Sequence, residues 1–213
     1  TIIMYDQYNR KIDYLRISLT DRCNLHCRYC KPEVSEHVPH NEILRYEELL
    51  RICRVVLQLG IRKFKITGGE PLLRKGCSDF IAGLKQMEGV EQVTLTTNGT
   101  LLSQQLPALI AAGVDSINVS LDTLDATYYT ELTGGSLDSV LKSLQELQSA
   151  GIPFKLNCVP LAENGLADIM QLLKLAHSYN APLRFIELMP LDCNTNLQLS
   201  LIHISEPTRL GMI

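Results

Sequence analysis

The sequence predicts an α/β fold, a partial parallel βα barrel whose six strands make about three quarters of the full eight-stranded form. Strand and helix signals alternate along the chain, and glycines close several of the helical segments. This alternation favours right-handed crossovers between parallel strands. A flat, doubly wound sheet is the alternative for the same order of elements.

Short apolar segments predict the strands, which cover residues 14–19, 63–67, 92–96, 116–121, 153–159 and 183–188. Apolar positions that recur every three to four residues predict helices over 45–59, 77–87, 103–112, 137–150 and 166–178. In the first helix, Leu49, Cys53 and Val56 share one face, and Gly60 ends the pattern. In either architecture, functional groups are expected on the loops after the carboxyl ends of the strands.

Composition restricts the class of protein. The 213 residues are enough for one domain, with 46% hydrophobic residues and a mean hydropathy of +0.05. A net charge of −3 gives no basic surface for nucleic acid or an anionic membrane, and no apolar segment reaches the roughly 18 residues of a membrane span. The seven cysteines show no paired framework, so a reducing, cytoplasmic setting is expected. Cys53 and Cys158 lie in apolar segments and are expected in the core.

Cys23, Cys27 and Cys30 follow the first strand with the spacing C-x3-C-x2-C. Three thiolates are one short of the four that usually hold a cubane iron–sulfur cluster, so one iron would stay open to a ligand. A zinc site with His26 as a fourth ligand is one alternative. A disulfide that leaves one thiol unpaired is another.

A second motif, Gly68-Gly69-Glu70-Pro71, follows the second strand. The glycines permit close approach of the backbone, and the proline stiffens the exit. Backbone groups of such a turn can pair with a zwitterionic ligand, and Glu70 could accept its ammonium group. The alternative is an ordinary turn.

Together the two motifs resemble the signature of the radical S-adenosylmethionine enzymes. Five segments resemble, more narrowly, the GTP 3′,8-cyclases of molybdenum-cofactor biosynthesis, in that family's order and spacing. These segments are residues 13–24, 65–72, 95–99, 117–122 and 184–189, within a similar region from about residue 6 to residue 191.

The resemblance implies roles for individual residues, with a [4Fe–4S] cluster held by Cys23, Cys27 and Cys30. The S-adenosylmethionine site would be formed by Tyr29, Gly68, Gly69, Glu70, Ser120 and Met189. The GTP contacts would be Arg16, Lys65, Thr96 and Lys155. Charged donors suit a triphosphate, although Lys65 stands where relatives often have arginine and so lacks a bidentate fork. No catalytic side chain is implied beyond the cluster and the cofactor.

Ordinary structural roles stay open for several of these positions. Ser120 and Thr96 also fit a strand, and Met189 also fits a core. Asn98 begins a turn dipeptide, and Asp122 is expected to cap the segment that follows it. Strand alternation points Arg16 and Lys155 to the inner face of the sheet, where unpaired charge favours a cavity over a dry core.

The implied activity is that of a lyase that converts GTP to (8S)-3′,8-cyclo-7,8-dihydroguanosine 5′-triphosphate. The implied partners are GTP and a reductant such as flavodoxin or ferredoxin, without nucleic acid or membrane, and a homodimer is compatible with the sequence. Two alternatives stay open. One is a different radical S-adenosylmethionine enzyme, acting in peptide or cofactor maturation, and the other is a non-catalytic iron–sulfur or zinc module.

Two regions are expected along the chain. Residues 1–191 would form the radical S-adenosylmethionine core, and residues 192–213 depart from the family pattern as an artefactual or disordered tail. Residues 199–209 read like a translated sequencing adapter, so the family-like sequence is expected to end near Gln198. The family carries a C-terminal region with three further cysteines for a second cluster, and residues 192–213 do not contain that pattern. The chain is therefore expected to be truncated and inactive in cyclisation.

Overall fold

The computed structural model describes residues 4–30, 37–39 and 41–188. Within these residues, the predicted six-stranded parallel sheet is confirmed. Its strands are β3 (Tyr14–Ser18), β4 (Lys63–Thr67), β5 (Gln92–Thr97), β6 (Ser116–Ser120), β7 (Phe154–Cys158) and β8 (Leu183–Phe185). They lie side by side in chain order. A doubly wound sheet reverses its strand order at a switch point, so the sequential order favours the partial barrel.

Six α-helices connect the strands in the described residues. They are α1 (Tyr46–Gln58), α2 (Cys77–Lys85), α3 (Leu102–Ala111), α4 (Ala126–Thr133), α5 (Leu137–Ser149) and α6 (Gly165–Ser178). Several short elements were not predicted from the sequence. Among them are the strands β1 (Met4–Tyr5) and β2 (Lys11–Ile12), which form an antiparallel pair, and the helix α4.

Helix α4 begins and ends with standard caps. The carboxylate of Asp125 accepts a hydrogen bond from the backbone N–H of Tyr128 at 2.9 Å, and Gly134 closes the helix with φ of +73°. The expectation that Asp122 caps this segment is therefore wrong. Asp125 lies directly before the first helical turn, whereas Asp122 lies three positions too early and is used elsewhere.

Side-chain alternation gives the sheet two different faces. Phe64, Ile66 and Leu95 are buried under the helices, together with Cys53 and Cys158 as predicted. The residues that alternate with them, here called the inner face, are mostly polar, and Arg16 and Lys155 among them are exposed. Among the described helices, none is long and apolar enough to cross a membrane.

Candidate functional site

The loop after β3, residues 20–30, carries the three cysteines and is here called the cysteine loop. Helix α4 supports it through the backbone: the N–H of His26 donates to the carbonyl of Thr133 at 2.9 Å, and that of Arg28 to Leu132 at 3.0 Å. The side chain of Leu25 is buried against Gly135. The helix missed from the sequence is thus the element on which the cysteine loop rests.

A buried carboxylate ties the same loop to the sheet. The hydroxyl of Tyr29 donates to one oxygen of Asp122 at 2.6 Å, and the backbone N–H of Val159 donates to the other at 2.7 Å. Burial raises the pKa of Asp122 to about 6, while the bonds from Tyr29 and Val159 act in the opposite direction. Asp122 therefore joins the cysteine loop to the ends of both β6 and β7.

The three cysteines of the loop lie close to one another. Cys23 and Cys27 are half-buried and Cys30 is exposed. The pKa of the Cys27 thiol is raised to about 12, mainly by burial and then by the charges of Asp122, Cys30 and Cys23. Such a thiol needs a metal to hold it as a thiolate at neutral pH.

The chemistry of the three thiols fits an iron–sulfur cluster. Within the described ranges, no three His, Cys, Asp or Glu side chains are gathered around one ion position. A cubane binds a different iron to each thiolate, so its ligands need not converge on one point. Three thiols on one supported loop are thus a fitting donor set for a cluster with one open iron.

The glycine turn after β4 is joined to the cysteine loop. The N–H of Gly69 donates to the carbonyl of Thr20 at 2.6 Å, and the N–H of Glu70 to that of Arg22 at 2.8 Å. A Cβ on Gly69 would overlap the carbonyl of Arg22, and one on Gly68 would press on Thr20. Glycine is needed here because the two backbones approach each other so closely.

Glu70 is fully buried, and protein donors engage both of its oxygens. It accepts hydrogen bonds from the N–H of Leu72 at 3.0 Å, the hydroxyl of Thr97 at 2.8 Å and the N–H of Asn98 at 2.7 Å. Burial raises the pKa of Glu70, and these bonds oppose the rise. The side chain therefore fixes the glycine turn to the end of β5, and its expected contact with a ligand ammonium group stays untested.

Four cations meet on the inner face of the sheet. In the ladder, Arg16 is the partner of Lys65, and Lys155 is the partner of Asn118. The pKa of Lys65 is lowered, first by burial and then by the charges of Arg184, Arg16 and Lys155. Among the described residues, none of these four cations forms a salt bridge with a carboxylate. The inner face is therefore a concentration of positive charge in which these four cations have no carboxylate partner among the described residues.

Arg184 belongs to this group but was not predicted as a site residue. Its guanidinium donates to the side-chain oxygen of Asn118 at 2.6 Å, and the amide of Asn118 donates to the hydroxyl of Thr96 at 3.3 Å. The guanidinium of Arg16 donates to the hydroxyl of Thr67 at 3.5 Å. The signal was available, since Arg184 is a lone charge inside a strand as Lys155 is, but β8 is short and at the edge of the sheet.

The remaining predicted residues fall at the carboxyl edge or outside the described residues. Ser120 ends β6 and is the ladder partner of Asn157 in β7. It lies two residues before Asp122, close in sequence to the support of the cysteine loop. Met189 lies outside the described residues.

The comparison with protein families decides the class. The model of the radical SAM superfamily matches residues 17–176. The chain belongs to the radical SAM superfamily. Its members use a [4Fe–4S] cluster and S-adenosylmethionine, for which the cysteine loop has the fitting ligands.

The chain is also similar to curated GTP 3′,8-cyclases. It is 44% identical to that of Peptoclostridium acidaminophilum over 200 residues, which are 92% of this chain and 61% of the relative. It is likewise 44% identical to that of Thermodesulfovibrio yellowstonii over 195 residues, or 90% of this chain and 61% of the relative. The chain thus spans about three fifths of the length of these relatives.

Solved structures confirm the fold. Streptococcus suis SuiB bound to S-adenosylmethionine superposes with a TM-score of 0.74 at 20% identity, over 88% of this chain and 43% of SuiB. Methylornithine synthase superposes with a TM-score of 0.68 at 15% identity, over 84% of this chain and 54% of that protein. At these identities, the similarity supports only the fold, the partial barrel.

Proposed function

We propose that this chain is the radical S-adenosylmethionine core of a GTP 3′,8-cyclase. The observation that carries the proposal is the group of four cations on the inner face, Arg16, Lys65, Lys155 and Arg184, which lack carboxylate partners in the described residues. A triphosphate would satisfy all four, whereas a neutral substrate would leave them in mutual repulsion. The similarity to curated GTP 3′,8-cyclases supports the same substrate.

The cysteine loop would hold the cluster through Cys23, Cys27 and Cys30. When bound, the cluster and S-adenosylmethionine supply the radical chemistry that abstracts hydrogen from the substrate. The chain's own contribution is position. The Tyr29–Asp122 bond fixes the loop against β6, and the cations would hold the triphosphate on the adjoining face.

Lys65 illustrates the electrostatic design. Its pKa is lowered because it is partly buried beside three other cations, so its charged form is disfavoured in the free protein. A bound triphosphate would neutralise the neighbours and raise the pKa of Lys65 again. Binding of the phosphates would thereby position the ribose of GTP, although the four cations themselves would not contact the reacting atoms.

For the cofactor, we propose that the backbone of Gly68 and Gly69, with Ser120, contacts the methionine end of S-adenosylmethionine. Glu70 supports this turn from below, because its oxygens already accept three protein hydrogen bonds. Tyr29 would contact the adenine through its backbone, since its hydroxyl is committed to Asp122. Met189 stays a predicted contact.

Calorimetric titration with GTP and with guanosine tests the substrate class. We expect the reconstituted chain to bind GTP, and to bind guanosine at least about tenfold more weakly, because the cations would recognise the phosphates. Raising the salt concentration should weaken GTP binding and leave guanosine binding nearly unchanged. Equal affinity for the two ligands, or no GTP binding by folded and iron-loaded protein, would contradict the proposal.

We further propose that these 213 residues alone generate the radical but do not cyclise GTP. They span about three fifths of the curated relatives. The family resemblance implies that the guanine contacts lie in the remainder. Loss of such positioning removes a large part of catalysis. Mass spectrometry should therefore detect 5′-deoxyadenosine without a 3′,8-cyclised nucleotide, and detection of that nucleotide above a no-enzyme control would refute this point. The reductant protein and the oligomeric state stay predictions.

A further inference from the structure

Asn98 follows β5 at the carboxyl edge of the sheet and faces the cysteine loop. Its side-chain nitrogen lies 3.7 Å from the sulfur of Cys23, and it also donates to the side-chain oxygen of Asn24 at 2.9 Å. In the sequence, Asn98 had only the ordinary reading of a turn residue. Its contact with one of the three proposed cluster ligands gives it a second use.

The orientation of the amide is determined by its other partners. The side-chain oxygen of Asn98 accepts from both the N–H and the hydroxyl of Thr100, at 3.0 and 2.7 Å. The backbone N–H of Asn98 donates to the buried Glu70 at 2.7 Å. Since two donors hold the oxygen, the NH₂ group must be the one that faces sulfur.

We propose that Asn98 tunes the reduction potential of the cluster by donating an N–H···S hydrogen bond to Cys23. Reduction adds negative charge that is shared with the ligand sulfurs, so a donor at sulfur stabilises the reduced form and raises the potential. The proposal rests on the iron–sulfur site of the superfamily and is independent of the GTP activity.

Asn98 is one of two donors to this sulfur in the described residues. The other is the backbone N–H of Leu25, at 3.4 Å, which side-chain substitution of Asn98 does not remove. A variant at Asn98 therefore changes the number of donors while it keeps the loop's own bond to Cys23. Glu70, in the glycine turn, accepts a hydrogen bond from the backbone N–H of Asn98. The same carboxylate would therefore support the glycine turn and hold Asn98 in position.

The test is a redox titration of the 213-residue chain, reconstituted with iron and sulfide, followed by electron paramagnetic resonance without S-adenosylmethionine. Asn98→Ala should lower the equilibrium constant for reduction of the cluster by about tenfold. For a one-electron couple, this is a shift of about 59 mV to more negative potential. Asn98→Asp keeps the shape and the acceptor oxygen but places a carboxylate at sulfur, so it should shift the potential further in the same direction.

Asn24→Ala is the matched control, because Asn24 belongs to the same network and, among the described residues, makes no hydrogen bond to the sulfur. Its shift should be less than about a third of that for Asn98→Ala, and all variants should hold about four irons per chain. An unchanged or more positive potential in Asn98→Ala would overturn the proposal. So would an equal shift in Asn24→Ala, or loss of iron from both Asn98 variants, since Asn98 would then serve the shape of the loop.

Discussion

The hydroxyl of Tyr29 donates to the carboxylate of Asp122 at 2.6 Å, and this bond connects the cysteine loop to the sheet. The second oxygen of Asp122 accepts from Val159 after β7. One buried carboxylate thus sets the position of the loop relative to two strands that carry proposed ligand contacts. The loop is positioned by the fold before any cluster is bound.

Removal of this bond should destabilise the protein. Tyr29→Phe leaves a buried carboxylate oxygen without its hydroxyl donor, which typically costs about 1–3 kcal/mol of unfolding free energy. Urea denaturation of the iron-free chain would measure the loss. Tyr46→Phe is the control, since its hydroxyl makes only a 3.3 Å bond to the carbonyl of Arg74 and it should cost less. Equal losses of unfolding free energy in the two variants would show that the hydrogen bond from Tyr29 to Asp122 contributes no more to stability than that of Tyr46.

Thiol labelling should separate Cys30 of the cysteine loop from the cysteines of the core. Without iron, iodoacetamide should modify the exposed Cys30 first, whereas Cys53 and Cys77 should resist because burial raises their pKa to about 11 and about 12. After reconstitution, Cys30 should be protected as well. Peptide mass spectrometry reads both states, and an unprotected Cys30 in iron-loaded protein would argue against its role as a ligand.

The cysteine loop should bind a single cluster. Reconstituted protein is expected to contain about four irons per chain, because C-x3-C-x2-C supplies one three-thiolate site. Cys23→Ala should abolish iron binding, while Cys53→Ala, a change in the buried core, should retain it. Iron analysis with ultraviolet–visible spectra would check this. A content near eight irons would reveal a second site.

The inner-face cations should act through charge. Lys65→Gln removes one donor to the proposed triphosphate, and loss of a charged hydrogen bond of about 1.5–3 kcal/mol corresponds to about 10- to 150-fold weaker GTP binding. Arg54→Gln removes an exposed cation from α1 and should leave the affinity unchanged. Calorimetry distinguishes them, and similar effects of both changes would reduce the role of Lys65 to net charge alone.

Much of this structure could be predicted from periodic signals. Alternation within strands placed Arg16 and Lys155 on the inner face, and the cysteine spacing identified the loop, because both signals depend on neighbouring residues. Helix α4 escaped because it has only eight residues, too few to show a sustained apolar period, and because five of them are threonines or tyrosines of modest helix propensity. Its supporting contacts with the cysteine loop are tertiary and have no local signal.

The part played by single polar residues was harder to predict. Asp122 looked like a helix cap, but Asp125 holds that position and Asp122 binds groups from distant segments. Asn98 had a sufficient local explanation as a turn residue, which concealed its contact with Cys23. Such roles depend on which loops meet at the edge of the sheet. The order of the strands in the folded sheet determines which loops meet, and local sequence patterns do not reveal it.

Cleavage of S-adenosylmethionine is the most direct test of the central claim, that the cysteine loop holds a cluster with one open iron beside the glycine turn. The reconstituted, dithionite-reduced chain should release 5′-deoxyadenosine and methionine in equal amounts, measured by liquid chromatography and mass spectrometry. Cys27→Ala should release neither. A wild-type chain that holds about four irons, binds S-adenosylmethionine and yet yields no 5′-deoxyadenosine would contradict the account.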